Sequence, residues 1–178
     1  YPPVTGGSFS DVSDSAWYAT AVNTLVELDV LSGYEDGTFR PNNAVTRAEF
    51  VTAVCKCFDN LSTGSAGFSD VSGHWAEGFI NQAVAEDWIS GFPDGTFRPD
   101  DQISLEEACT ALLKMLGYDS STLAGSYPSA QLSKASSVGL RDDVDAVQGE
   151  ALTRQDCVML FYNLLVSDDS SGTVYGTT

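Results

Sequence analysis

The chain has 178 residues, 43% of them hydrophobic, and its mean hydropathy of −0.06 is typical of a folded domain long enough to form a core. Its 25 acidic and 8 basic side chains give a formal net charge of −17, which argues against general nucleic-acid binding because phosphate contacts need clustered Lys and Arg. No stretch approaches the roughly 18–20 apolar residues that a membrane-spanning helix needs, and any anionic ligand would have to be held by local donors.

The first predicted unit covers residues 9–62, after an N-terminal extension of residues 1–8, and consists of a helix, a loop and a second helix. Apolar residues at helical spacing form one face of the first helix: Trp17, Ala21, Leu25 and Leu28. The loop at residues 33–41 reads Gly-Tyr-Glu-Asp-Gly-Thr-Phe-Arg-Pro, and Gly33 is expected to end the helix with a positive φ. The second helix is predicted over residues 47–58.

The loop sequence recurs 58 residues later, at residues 91–99, as Gly-Phe-Pro-Asp-Gly-Thr-Phe-Arg-Pro, with Gly91 in the role of the first glycine. Each copy follows a Phe-Ser-Asp-Val segment, which defines a second unit at residues 68–118. A third, degenerate unit at residues 124–166 lacks both motifs but keeps the helix spacing, and residues 167–178 read as a linker or tail. Repeats of this length predict units that bury apolar faces against one another, which favours a binding module over an enzyme with one pocket.

Both loops are expected to be fixed by turn chemistry and by one aromatic side chain. The Asp-Gly pair in each loop is typical of a tight turn, and the closing proline stops regular structure. We expect Phe39 and Phe97 to insert into the core. Arg40 and Arg98 are expected to bind carbonyls or carboxylates of their own loops.

The sequence Thr-Arg-Ala-Glu at residues 46–49 opens the second helix and has the pattern of a capping box. In such a box the Thr46 hydroxyl accepts a hydrogen bond from the Glu49 amide, and the Glu49 carboxylate accepts one from the Thr46 amide. Ser-Leu-Glu-Glu at residues 104–107 keeps this pattern, and Thr-Arg-Gln-Asp at residues 153–156 keeps a shortened one. Thr46 and Glu49 are therefore expected to be mainly structural.

Arg47 and Arg154 are the candidate contacts for an anion. Each follows the capping residue, where free amides and the helix dipole favour negative charge and a guanidinium adds a fork suited to a carboxylate. The alternative is that Arg47 pairs with a neighbouring Asp and only stabilises the array, and residue chemistry leaves both interpretations open. Leu105 stands at this position in the second unit, so at most two competent sites are expected.

The remaining reactive side chains form no catalytic or metal-binding pattern. His74 is expected to cap a helix or face solvent, and the adjacent Glu106 and Glu107 diverge on a helix, which makes them a poor acid–base pair. The cysteines are interpreted as small buried apolar residues, with a disulfide between units or a metal site as the alternative: Cys55, Cys57, Cys109 and Cys157. We expect no enzyme activity, cofactor or dedicated metal site, although the acidic surface suits adventitious calcium.

Taken in order, the Phe-Ser-Asp-Val segment, the tryptophan, the Gly-Tyr-x-Asp-Gly-Thr-Phe-Arg-Pro-Asn loop and Thr-Arg-Ala-Glu-Phe closely resemble the S-layer homology domain over residues 9–165. The resemblance implies an all-α fold of three helix-loop-helix repeats in a pseudo-threefold, three-pronged spindle, which as one chain would be monomeric. It implies extracellular, non-covalent anchoring of an exported bacterial protein to the cell wall or surface layer. The implied partner is a secondary cell-wall polysaccharide, often with pyruvylated N-acetylmannosamine.

The resemblance also places the ligand in grooves between the prongs and implies a contact from the arginine of the Thr-Arg-Ala-Glu motif. A pyruvate carboxylate is the kind of anion that a helix N-terminus with an arginine would hold. The tryptophans would offer aromatic faces to a sugar or anchor the core, and the aspartates would line grooves or cap helices. The candidate binding residues are Thr46, Arg47, Glu49, Thr153, Arg154, Asp11, Asp70, Trp17, Trp75, Gly33 and Gly91. A protein–protein docking module is the alternative function.

Overall fold

The computed structural model describes residues 9–13, 15–28, 30–56, 67–118, 121, 123–172 and 174. Six α-helices form in this part of the chain: α1 (Ala19–Glu27), α2 (Arg47–Lys56), α3 (Glu77–Ala85), α4 (Leu105–Met115), α5 (Ser129–Ser137) and α6 (Arg154–Val166). The described residues contain isolated β-bridges but no strand, so the fold is all-α as predicted. None of these helices is long and apolar enough to cross a membrane.

The helices pack in pairs that link successive parts of the chain. α2 contacts α3 and α4 contacts α5, so in both pairs the second helix of one predicted unit lies against the first helix of the next. α6 contacts α1, which brings the last helix against the first. Each of the three pairs therefore joins two of the predicted units.

A ring of three backbone hydrogen bonds joins the segments that precede α2, α4 and α6. The Val45 amide donates to the Leu152 carbonyl at 2.9 Å, the Leu152 amide to the Ile103 carbonyl at 3.0 Å, and the Ile103 amide to the Val45 carbonyl at 3.0 Å. All three residues are buried, and the ring supplies the hydrogen bonds that buried backbone groups need. It places the starts of the three helices side by side.

The two loops are anchored by phenylalanines in the core, as predicted. Phe39 and Phe97 are fully buried, and each packs on the phenylalanine that opens its own unit, with ring centroids 5.4 Å apart for Phe9 and 5.5 Å apart for Phe68. Complete burial of one such side chain contributes about 1.5–3 kcal/mol. The Phe-Ser-Asp-Val segment and the loop of each unit are therefore one packed structure.

The predicted reason for the two loop glycines is wrong. The helices before them already end at Leu28 and Glu86, and neither Gly33 nor Gly91 has a positive φ. A Cβ at Gly33 would overlap the ring of Phe9, and the same substitution at Gly91 would overlap the ring of the equivalent phenylalanine. Glycine is needed because the aromatic ring approaches the backbone closely.

Helix starts were predicted well only where a side chain caps them. The predicted starts of α2, α4 and α6 are confirmed, while the predicted end of α2 and Cys57 lie outside the described residues. Trp17 does not belong to the stripe of α1, because α1 begins only at Ala19. Its N-cap is Tyr18, which makes no side-chain capping bond.

Candidate ligand-binding grooves

Asp11 and Asp70 hold the two loops in place. The Asp11 carboxylate accepts hydrogen bonds from the amides of Phe39 at 2.7 Å and Arg40 at 2.8 Å. Asp70 does the same for the second loop, at 2.9 and 2.8 Å. Burial opposes ionisation of Asp11, but these amide hydrogen bonds outweigh it and lower its pKa. Both aspartates, predicted to line grooves or cap helices, thus bind backbone of their own loops.

The loop arginines close the turns, as predicted. Arg40 forms a 3.2 Å ion pair with Asp36, and its guanidinium lies 3.7 Å from the centroid of the Tyr34 ring. Arg98 forms the equivalent 3.2 Å ion pair in the second loop. The φ angles of Arg40 and Arg98 are 57° and 59°, a left-handed conformation that most residues avoid. The hydrogen bonds from their amides to the carboxylates of Asp11 and Asp70 stabilise this conformation.

The predicted capping boxes form at α2 and α6. The Glu49 amide donates to the Thr46 hydroxyl at 3.1 Å, and the Thr46 amide donates to the Glu49 carboxylate at 3.3 Å. Thr153 and Asp156 make the same reciprocal pair at 3.2 and 3.1 Å. Each box satisfies two of the four backbone donors of its helix start. At α2 the other two, the amides of Arg47 and Ala48, donate to the carbonyls of Asp101 and Pro99 at 2.8 Å, so the free amides that were expected to favour an anion do not occur there.

The box predicted at α4 forms only in part. The Glu107 amide lies 3.4 Å from the Ser104 hydroxyl oxygen, as in the other two helices. The Glu107 carboxylate, however, accepts from the Ser104 hydroxyl at 3.0 Å and from the guanidinium of Arg47. The acid at this position of α2, Glu49, therefore caps its own helix, whereas the acid at the same position of α4, Glu107, pairs with an arginine from another part of the chain.

Arg47 extends from α2 into the second loop. Only 3% exposed, it donates from Nε to the Phe97 carbonyl at 3.0 Å and from Nη2 to the Ser90 carbonyl at 2.9 Å, while Nη1 is bound by Glu107. Burial lowers the pKa of Arg47 to about 10, so it remains charged at neutral pH. The residue does stabilise the array, through Glu107 and two carbonyls.

Arg154 occupies the equivalent place at the first loop. It is 8% exposed and donates from Nε to the Phe39 carbonyl at 2.8 Å and from Nη2 to the Ser32 carbonyl at 2.6 Å. Its guanidinium lies 4.4 Å from the centroid of the Phe39 ring. Across the described part of the chain, Nη1 of Arg154 has no hydrogen-bond or ion-pair partner.

Each buried arginine lines a groove. The Arg47 groove has a volume of about 430 Å³ and is lined by Arg47, Trp88, Ile89, Ser90, Gly91, Phe92, Ser104, Glu106, Glu107, Thr110, Lys114 and Tyr127. The Arg154 groove has a volume of about 210 Å³ and is lined by Val30, Leu31, Ser32, Glu49, Thr52, Ala53, Lys56, Trp75 and Arg154. Gly91 therefore lies at a groove, whereas Gly33 is absent from this lining.

The two grooves have equivalent side chains, of which Trp75 was predicted from the sequence but Lys56, Lys114 and Tyr127 were not. Lys56 contributes an ammonium group to the Arg154 groove, and Lys114, 58 positions later, contributes one to the Arg47 groove. Trp75 supplies an exposed aromatic ring to one groove and Tyr127 to the other, with 62% and 57% of their surfaces exposed. Tyr127 lies two residues before α5, which matches the position of Trp75 before α3.

The interpretation of the tryptophans as core anchors is wrong, since Trp17 is 55% exposed and Trp75 is exposed as well. Trp17 packs edge-on against Tyr18 with ring centroids 5.3 Å apart, and it lines neither groove. A ring that stays in water without covering the core is available for contacts with sugar C–H surfaces. Trp75 combines that exposure with a nearby buried arginine.

The start of α4 lacks the arginine and is built differently. Leu105 is fully buried, and the carboxylate of the next residue, Glu106, accepts the Gly149 amide at 2.9 and 3.1 Å from its two oxygens. Leucine offers no donor to an anion. Each of the two arginines that the sequence singled out, Arg47 and Arg154, therefore lines a groove of its own.

The remaining candidates for chemistry have structural surroundings. His74 accepts the Ala76 amide at Nδ1 (3.1 Å), and its Nε2 lies 2.9 Å from Asp100, so it binds the segment before α3 and does not cap the helix. Three of the cysteines are buried, as predicted, and form no disulfide among the described residues: Cys55, Cys109 and Cys157. Burial raises the pKa of the Cys109 thiol to about 12, and no cluster suited to a metal ion occurs among the described residues.

Comparisons with known proteins agree with the motifs. The chain is 37% identical over 115 residues to the cellulosome-anchoring protein of Acetivibrio thermocellus, covering 61% of the chain and 26% of that protein. It is 33% identical over 162 residues to the middle cell wall protein of Brevibacillus brevis, covering 88% of the chain and 15% of that protein. It is 35% identical over 105 residues to endo-1,4-beta-xylanase A of Thermoanaerobacterium saccharolyticum, covering 57% of the chain and 9% of that enzyme.

The chain thus spans about a quarter or less of the length of these relatives. The family model described as S-layer homology domain matches residues 8–51 and 67–109, which contain both loops and the starts of α2 and α4. Two segments of the chain therefore match the S-layer homology domain, the family that their motifs resemble.

Proposed function

We propose that this chain is a non-catalytic wall-anchoring module of an exported bacterial protein and acts at the cell surface. Relatives named for anchoring and for the cell wall support this proposal. The similarity to a xylanase covers only 9% of that enzyme, as expected for a module attached to a separate catalytic part. The ligand is an anionic secondary cell-wall polysaccharide, such as one with pyruvylated N-acetylmannosamine.

The observation that carries the proposal is the composition of the grooves. Each contains a buried guanidinium, a lysine and an exposed aromatic ring, which are Arg154, Lys56 and Trp75 in the Arg154 groove. In the Arg154 groove the guanidinium and the ammonium suit an acidic substituent, and in both grooves the aromatic face suits the apolar face of a sugar ring. On a chain with a net charge of −17, such local positive charge is what an anionic glycan requires.

We further propose that the chain is a monomer of three repeats, residues 9–62, 68–118 and 124–166, arranged with pseudo-threefold symmetry. The ring of hydrogen bonds between Val45, Ile103 and Leu152 supports this arrangement, because each repeat contributes one member. The three helix pairs, α2 with α3, α4 with α5 and α6 with α1, support it as well, because each pair joins two repeats. The grooves would then lie between prongs, each lined by more than one repeat.

Protein–protein docking is the second candidate, and the exposure of Trp17 favours it. This tryptophan is 55% exposed and lines neither arginine groove. A module that docks through Trp17 would recognise an apolar surface and would be indifferent to the groove residues. The two functions therefore make opposite predictions for Trp17 and for Trp75 with Tyr127.

Co-sedimentation with purified cell-wall sacculi separates these functions. We expect the chain to bind intact sacculi and to lose binding when the polysaccharide is stripped with acid. Trp75→Ala combined with Tyr127→Ala should weaken binding at least tenfold, whereas the matched control Trp17→Ala should leave it unchanged. Binding that survives stripping, or that is lost only in the Trp17 variant, would exclude the glycan function and favour docking.

A further inference from the structure

We infer that the acidic group of the wall polysaccharide binds in the Arg154 groove and that the Arg47 groove takes an uncharged part of the glycan. This inference rests on the proposed function and adds a division of labour between the two grooves. It follows from the charges that line each groove and from the partners that those charges already have.

The charges of the Arg47 groove cancel internally. Its two cations are Arg47, which is paired with Glu107, and Lys114, which lies 3.8 Å from Asp87. Glu106 lines the same groove and is 9% exposed. All three guanidinium nitrogens of Arg47 already have acceptors. An incoming carboxylate would have to displace Glu107 and would meet a second carboxylate nearby.

The charges of the Arg154 groove do not cancel. Its cations are Arg154 and Lys56, against one acid, Glu49, whose carboxylate accepts the Thr46 amide in the capping box. Nη1 of Arg154 has no partner among the described residues, although the side chain is more than nine-tenths buried. A buried guanidinium with a free N–H interacts strongly with a carboxylate, because little water screens the pair.

The difference between the grooves originates in one capping acid. Glu49 and Glu107 stand at equivalent positions, 58 residues apart, and each lies three residues after the capping residue of its helix. Glu49 binds its own helix start, whereas Glu107 crosses to Arg47. Glu107 therefore occupies the place that a ligand carboxylate would take, and its counterpart leaves Arg154 available.

The inference is tested by calorimetric titration of the full chain with two probes. One is the methyl glycoside of pyruvylated N-acetylmannosamine, and the other is the same glycoside without the pyruvate. Lys56→Gln and Lys114→Gln form a matched pair of single-charge changes, one in each groove. Lys134→Gln removes the same charge outside both grooves, where the ammonium lies over the Tyr118 ring, and serves as the control.

We expect Lys56→Gln to weaken binding of the pyruvylated glycoside at least fivefold, Lys114→Gln to change it less than twofold, and the control to match the wild type. Binding of the glycoside without pyruvate should not respond to Lys56→Gln. Glu107→Gln should add a second, weaker site for the pyruvylated glycoside, because it removes the negative charge that neutralises Arg47. All four variants change residues that are not fully buried, and circular dichroism will show that they fold.

An equal or larger loss in Lys114→Gln would overturn the inference and leave the proposed function standing. The same holds if Glu107→Gln adds no site while Lys56→Gln has no effect. If the wild type binds neither glycoside and also fails to bind sacculi, the proposed function itself is wrong. The two failures are therefore distinguishable.

Discussion

The first residues of α6 and of α4 both bind backbone groups of another segment of the chain, but with side chains of opposite charge. At α6, Arg154 donates to two carbonyls of the first loop, those of Phe39 and Ser32. At α4 the first helical residue is the buried Leu105, and Glu106 accepts an amide from Gly149 instead. The same ring of backbone hydrogen bonds joins the two helix starts.

This difference shows that the ring does not depend on an arginine. What must match is the polarity of the pair: a cation meets free carbonyls, and a carboxylate meets a free amide. Arg47 and Arg154 are therefore matched to loops of the Asp-Gly-Thr-Phe type, and Leu105 with Glu106 is matched to the different segment before α6. A substitution that breaks such a match should cost more stability than one that removes both members.

The largest expected effect is that of Leu105→Arg, which would make α4 resemble α2 and α6. Leu105 is fully buried, so the new guanidinium would enter an apolar site, and the neighbouring Glu106 carboxylate is already bound by the Gly149 amide. An uncompensated buried charge costs about 3–5 kcal/mol, and we expect a loss of this size in the free energy of unfolding measured with urea. Leu105→Met should cost less than about 1.5 kcal/mol. Wild-type stability in Leu105→Arg would show that the third junction can also receive an arginine.

A double-mutant cycle measures the pairing that distinguishes Arg47 from Arg154. For Arg47→Met with Glu107→Gln, we expect a coupling free energy of about 1–3 kcal/mol, because the ion pair is largely buried. The matched cycle, Arg154→Met with Glu49→Gln, should give less than about 0.5 kcal/mol, since Glu49 is bound in its capping box. Both cycles need only urea unfolding curves at neutral pH. Similar couplings in the two cycles would remove the structural basis for treating the grooves as different.

Lowering the pH should destabilise the two loops before it destabilises the segment that precedes α6. Burial disfavours ionisation of Asp11 and Asp70, but the amide hydrogen bonds dominate and lower the pKa of both. A carboxyl group with a lowered folded pKa stabilises the protein above its unfolded pKa, near 4, and this stability is lost as the pH falls through the folded value. Asp11→Asn and Asp70→Asn should each cost about 1 kcal/mol at pH 7.

This cost should shrink as the pH falls below about 4, because the wild type then loses the same interactions. Amide hydrogen exchange gives a local readout. Protection of the Phe39 and Phe97 amides, which Asp11 and Asp70 bind, should fall with acid before that of the Leu152 amide, which a carbonyl binds. A cost that stays constant from pH 7 to pH 3 would contradict this account.

The helix starts show what the sequence could predict about the fold. α2, α4 and α6 begin where their Thr or Ser caps predicted, because a side-chain cap leaves a local sequence pattern. α1, α3 and α5 have Tyr18, Ala76 and Pro128 as N-caps, without a side-chain capping bond. No local pattern marks such a start, so the apolar spacing wrongly includes Trp17 in a helix that begins two residues later.

The grooves show the corresponding limit for the site. Arg47 and Arg154 were found because each follows a cap, but their acceptors, Phe97 and Phe39, lie 50 and 115 positions away in the sequence. No spacing rule connects such residues, so the sequence could not predict that Glu107 neutralises Arg47. The sequence gives no signal for Tyr127, because a tyrosine stands before α5 where a tryptophan stands before α1 and α3, and α5 follows α3 by 52 rather than 58 positions.

The smallest expected effect concerns the capping residues of α2 and α4. Thr46→Ala removes one member of a complete capping box and should cost about 1 kcal/mol. Ser104→Ala should cost only about 0.5 kcal/mol, because the Ser104 oxygen lies 3.4 Å from the Glu107 amide and the Glu107 carboxylate keeps Arg47 as a partner after the change. Differential scanning calorimetry of the two variants, with Thr153→Ala as a second complete box, gives the ranking. If Ser104→Ala were as costly as Thr46→Ala, the hydroxyl of Ser104 would be needed to orient Glu107 towards Arg47, and the capping residue of α4 would then belong to the Arg47 groove.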